Sequence, residues 1–186
     1  GIDRTDSAVV KMFMLSKRKA QRPFGELIES LNIVPVSISY EYDPCDLLKA
    51  KELYYIDQTG SYTKPEGEDL ISLAKGLGEF KGEVNLRFCE PIKGSFETPD
   101  QVADELDRHI LSNYHVYPSN YIALSQIEDS AYRQVWLKLK DRYAEIASQE
   151  KETEFANRLD RCPTEHRPYF LKMYANPLVC RDNLLT

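Results

Sequence analysis

The chain has 186 residues, with 24 Lys and Arg against 30 Asp and Glu, a formal net charge of −6 and 42% apolar residues. That length suits one domain, or one domain with an appendage, and buries roughly two thirds of the unfolded chain's surface. With 12 Tyr and 7 Phe the chain is not disordered, its acidity argues against a protein that coats nucleic acid, and no apolar run approaches the ~18 residues of a membrane span.

Residues 1–22 carry Arg4, Lys11, Lys17, Arg18, Lys19 and Arg22 against Asp3 and Asp6, a local charge of +4, which leaves −10 for the rest. Within this stretch Thr5 or Asp6 can cap a helix whose apolar residues Val9, Val10, Phe13 and Met14 recur at helical spacing. Lys17, Arg18 and Lys19 then fall in its last turn, where cations suit the helix dipole. A second short helix fits residues 24–31. Residues 33–40 (IVPVSISY) form a β-branched run that reads as a strand, with Pro35, which has no N–H to donate, near its start or at an edge. Asp43 and Pro44 signal a helix start, cap plus first-turn proline, over about residues 45–56, with Leu47, Leu48, Ala50 and Leu53 to bury. Another helix fits residues 68–77, stopped by Gly76 and Gly78.

Residues 83–89 alternate Val84, Leu86 and Phe88 with Glu83, Asn85 and Arg87, the pattern of a half-buried strand with its apolar side inward. Thr98-Pro99-Asp100-Gln101 is a capping box, and Val102, Leu106 and Ile110 continue one helical face to about residue 113. From Ser119 on, helix dominates: Tyr132, Trp136, Leu139, Tyr143 and Ile146 mark one long face. Pro163 and Pro168 are expected to break the remainder into a short helix around residues 169–174. The fold class is therefore α/β and helix-rich. A mixed part occupies residues 1–128 and a helical tail residues 129–186, and two strands alone make a marginal sheet.

Catalytic chemistry is sparse. Cys45, Cys89, Cys162 and Cys180 contain no C-x2-C pair and read as reduced small hydrophobes. His109 borders the packing face of its helix, while His115 and His166 stand near chain breaks without a Ser or Cys partner at a motif spacing. Cys162 and His166 supply two zinc ligands where four are needed. The acidic clusters read as solvated faces, and phosphate-binding glycine loops, HExxH and GxSxG are absent. No catalytic residue, metal ligand or cofactor is assigned within the chain.

The segment NIVPVSISYEYDPCD, from Asn32 to Asp46, read with GIDRTD at residues 1–6, resembles bacterial acyltransferases of the glycerol-3-phosphate/lysophosphatidate acyltransferase superfamily. Residues 33–38 resemble that family's V-P-V strand block, and residues 84–91 resemble the following strand, which ends in a (G/C)-x-P turn. PSNYIAL from Pro118 and FLKMYANP from Phe170 resemble features of the long bacterial subgroup. The resemblance implies a partial acyltransferase-like sheet and an acyl group passed from acyl-CoA or acyl-carrier protein to a glycerophosphate-type hydroxyl.

In that family a His-x4-Asp motif activates the hydroxyl and an E-G-x-R block binds the acceptor's phosphate. Here Tyr114, Asn120 and Leu171 stand five residues after the three histidines, and both motifs are missing. The chain therefore reads as the C-terminal portion of such an enzyme, inactive alone, with strands and catalytic blocks upstream of Gly1; the absence of an initiator Met suggests the same. Arg4, Lys11, Pro35 and Tyr40 are the candidate substrate-binding residues. The scattered cysteines suit a cytoplasmic location, and the resemblance implies one peripheral on the inner face of the membrane. Strands missing upstream would leave a sheet face or edge around residues 33–38 that either favours self-association or is covered by the chain's own helices. The alternative is a non-catalytic module that binds an acidic partner or a membrane surface through residues 4–22.

Overall fold

A computed structural model describes residues 4–15 and 22–185, apart from the side chains of Met14 and Leu185. Helix makes up 65% of the described residues, beside a small two-stranded antiparallel sheet. The chain forms two compact units that are not consecutive segments. One comprises residues 40–84 and 116–185, the other residues 4–39 and 85–115. Residue 128, where the sequence suggests a division, lies inside the first of these.

The smaller unit begins with α1 (Ser7–Leu15). Asp6 caps it, its Oδ1 accepting from the Ala8 amide at 2.8 Å, while Thr5 turns away to hold Asp107 through its amide and hydroxyl. The expected basic last turn at Lys17, Arg18 and Lys19 lies outside the described residues. α2 (Phe24–Leu31) ends at Asn32, which takes the left-handed conformation at φ 47°. β1 (Val36–Tyr40) pairs with β2 (Val84–Phe88). Pro35 sits one residue before the strand, where its lack of an N–H costs nothing, and its carbonyl accepts from the Cys89 amide at 2.9 Å. α5 (Pro99–Ser112) starts at the expected capping box of Thr98 and Gln101. Val10, Ile28, Ile92 and Val102 make this unit's core.

The larger unit contains α3 (Asp46–Thr59), α4 (Glu68–Gly78), α6 (Pro118–Ser125), α7 (Ser130–Ile146), α8 (Gln149–Asp160) and α9 (Arg167–Leu185). Two helix boundaries differ from the sequence expectation. Cys45, not Asp43, is the N-cap of α3; the Asp43 carboxylate instead accepts from the Cys45 amide, closing the turn ahead of the helix. Pro168 does not break the last helix but lies in its first turn, where a missing N–H is harmless, and α9 continues through Pro177 for 19 residues. α6 buries every residue from 119 to 124 and packs against α7, α8 and α9. A helix buried on all sides must be apolar or have its polar groups satisfied. Ser119 donates to the Glu41 carbonyl, and Asn120 bridges the Tyr117 amide and the Tyr174 carbonyl. Phe155, Phe170 and Tyr174 form an aromatic triad nearby, with centroids 5.1 to 5.8 Å apart.

The sheet carries the main correction. Its register sets Val36 opposite Phe88 and Ile38 opposite Leu86, because residue 35 pairs with 89 and residue 41 with 83. This apolar face is open: Ile38 is 45% exposed, Leu86 53% and Phe88 70%. Ser37 and Ser39 are buried on the other face instead. That face meets the C-terminal end of α5 and the turn after it, where backbone groups seek partners outside the helix. Ser37 Oγ donates to the Ile110 carbonyl at 2.9 Å, Cys89 Sγ contacts the His109 carbonyl, and Ser39 Oγ accepts from the His115 amide at 2.9 Å.

Candidate functional site

Arg4 and Lys11 are both exposed, before and within α1, whereas Pro35 is buried at the strand entrance. No hydrogen bond or ion pair links Arg4, Lys11 and Pro35 to one another. Tyr40, in the other unit, is partly exposed on the last rung of the ladder. Arg4, Lys11 and Pro35 thus fall in one unit and Tyr40 in the other.

Residues 41–46, in the stretch that carries the family resemblance, are instead wired into the helical tail. Asp46, 1% exposed, accepts from Tyr174 Oη at 2.7 Å and from Arg158 Nε, and Arg158 also donates to the Asp43 carbonyl. The Asp43 amide closes the loop by donating to Tyr174 Oη at 3.0 Å. Next to it, Glu41 takes Lys151 at 2.8 Å and the Glu83 amide at 3.0 Å. Its side chain fills the space a Cβ on Gly82 would need, and Gly82 also holds a left-handed φ of +64°. Tyr42 donates to Glu154 and lies under the Arg158 and Lys151 cations. Burial, aided by Asp46, pushes the Tyr174 hydroxyl well above its ordinary range, and burial with the Glu154 contact does the same for Tyr42. Burial and the Asp46 charge push the Cys162 thiol up to about 11.

This network is closed. Among the described residues no buried side-chain nitrogen or oxygen lacks a partner. Its role is to clamp the strand exit to α8 and α9. Sequence reasoning missed Arg158 and Tyr174, because partners 112 and 128 residues from Asp46 leave no local signal.

An open groove of about 320 Å³ is lined by Lys51, Tyr55, Ser61, Tyr62, Thr63 and Pro65. Its cation is already engaged, with Lys51 3.7 Å from Glu68 and 5.6 Å from the Tyr62 ring centroid. His166 is buried beside Tyr54 and Tyr55. His109 Nε2 lies 3.0 Å from Glu105 Oε1, a base with a carboxylate to orient it. The Cys89 thiol meets the His109 carbonyl rather than its ring, and Glu105 stands four residues before His109 rather than in the His-x4-Asp order. Among the described residues no cluster of His, Cys, Asp or Glu could hold a metal, and no helix is long and apolar enough to cross a membrane.

The surface that calls for a function is therefore the open sheet face of Val34, Val36, Ile38, Leu86 and Phe88, an apolar patch unusual on a soluble surface. Comparison with known protein families, with curated proteins and with solved structures finds no match.

Proposed function

We propose that this chain is the C-terminal part of a glycerolipid acyltransferase, one that moves an acyl group from acyl-CoA or acyl-carrier protein to a glycerophosphate-type hydroxyl. The observation that carries the reading is the pairing of its two family-like blocks. The V-P-V strand and the Cys89-Glu90-Pro91 turn are adjacent rungs of one ladder, joined at Pro35 and Cys89. A two-stranded sheet is marginal alone, and one that turns its apolar side outward fits a larger α/β domain in which further chain covers that side. In this reading residues 33–40 and 84–91 form part of the wall of the acyl or acceptor cleft.

The acyl-transfer step itself needs a base to take the glycerol hydroxyl's proton and a carboxylate to orient that base. His109 and Glu105 offer the second relation without a motif for the first, so the reaction is assigned to a His-x4-Asp outside residues 1–186. Two measurements test the proposal. Purified chain, acyl-CoA and lysophosphatidate should release no thiol above blank. The reading frame upstream of the Gly1 codon should encode His-x4-Asp followed by E-G-x-R. An upstream frame without them would sink the proposal, and turnover by the isolated chain would refute the assignment of catalysis elsewhere.

A further inference from the structure

α1 commits one described side chain fully to the core, Val10 against Ile28, Ile92 and Val102. At about 100° per residue, the arc opposite Val10 carries Ala8, Met12 and Leu15. Val9 and Phe13 lie on one flank of that arc and Lys11 on the other. All six are exposed, Met12 at 67%. An outward face of this composition is the reverse of a solvated helix face.

We propose that α1 is an interfacial helix that docks this unit on an anionic lipid surface, with Met12 and Leu15 entering the headgroup–acyl boundary and Lys11 and Arg4 meeting the headgroups. Charge selects this occupant. The +4 of residues 1–22 stands against −10 elsewhere, and Arg4, Lys11 and Arg22 are all exposed. At this helix Asp6 serves as the cap and Asp107 is held by Thr5. The other exposed apolar helix, α4, lacks this match: Leu70, Leu73 and Leu77 stand among Glu68, Asp69 and Glu79 with Lys75 as the one cation of that helix. Shallow insertion of an apolar arc combined with cation attraction is the energetic basis of such binding. The inference is independent of the acyl-transfer reading, and its test contains no acyl transfer.

Flotation of the full chain with vesicles of phosphatidylcholine alone, or mixed with phosphatidylglycerol, reads the docking directly. Binding to the mixed vesicles should be at least about tenfold tighter than to the neutral ones and weaken with added salt. The double variant Met12→Glu, Leu15→Glu should lose about tenfold in binding while keeping the wild-type melting temperature, since both side chains point away from the core. Three results would overturn the proposal: no flotation with anionic vesicles, equal binding by the double variant, or a dimer in light scattering that the same two substitutions dissociate in a chain that ignores lipid. The last would make α1 an interface between copies.

Discussion

At Asp46 one carboxylate joins the end of the loop after β1, a residue of α8 and a residue of α9. Its side chain and that of Arg158 are 2% and 14% exposed, so the pair is screened far less than a surface ion pair. Removing one partner of a buried pair strands the other charge, which typically costs 3–5 kcal/mol. Asp46→Asn should therefore lower unfolding stability by about 3–5 kcal/mol in urea titration. Asp69→Asn, which breaks an exposed pair with Lys64, should leave the midpoint where it was. An equal effect of the two would show that the clamp at Asp46 is not what holds the tail.

The same region sets the alkaline limit. The Cys162 thiol titrates near 11 instead of 9, and the Tyr42, Tyr143 and Tyr174 hydroxyls are raised as well, in each case first by burial. Each group keeps its proton to higher pH in the folded chain, so the native state binds more protons than the unfolded one across that window. Stability must then fall as pH rises. It should be complete below about pH 9 and decline through pH 11. Thermal melts between pH 7 and 11 check this, and a flat profile above pH 9 would contradict the assigned burial. The partnerships of Tyr42 with Glu154 and of Tyr174 with Asp46 are not visible in sequence, because they join residues 112 and 128 positions apart, whereas a cap such as Asp6 needs only its neighbours.

Elements were legible where their signals are local. The capping box at Thr98, the bounds of α2, and Pro35 ahead of its strand all follow from chain chemistry within a few residues. Period two in β2 likewise gives a strand, but alternation does not say which side faces in. That side is the one that meets the end of α5, where Ser37 donates to the Ile110 carbonyl and Cys89 contacts the His109 carbonyl. The consequence is measurable. Leu86→Thr and Phe88→Thr keep strand propensity and remove exposed apolar surface, so each should shift stability by no more than about 0.5 kcal/mol. Val102→Ala, fully buried on the opposite side, should cost about 2 kcal/mol. In a longer enzyme that covers the sheet, the Leu86 and Phe88 substitutions would instead carry a core penalty of the same order as Val102→Ala. The contrast between the two proteins is thus a probe of what lies over the sheet.

For the whole molecule, that face governs association. Ile38, Leu86 and Phe88, with Val34 just ahead of β1, expose apolar surface on and beside strands whose outer edges pair with no other strand among the described residues. An open edge templates pairing with another chain, and apolar area on this scale gains free energy when two copies exclude water between them, at about 25 cal/mol per Å². Against this stands the entropy of association, several kcal/mol at least, so the equilibrium should be concentration-dependent rather than obligate. Light scattering across the micromolar range should show a mass that rises above one chain. Ile38→Lys together with Leu86→Lys should return it to one chain, since a charge on that face opposes both stacking and edge pairing. Met12→Glu and Leu15→Glu, on a different face, should leave the mass unchanged. A wild-type chain that stays monodisperse at one-chain mass at every concentration would mean that the exposed sheet tolerates water without a partner. The strongest structural support for a covering segment would then be gone.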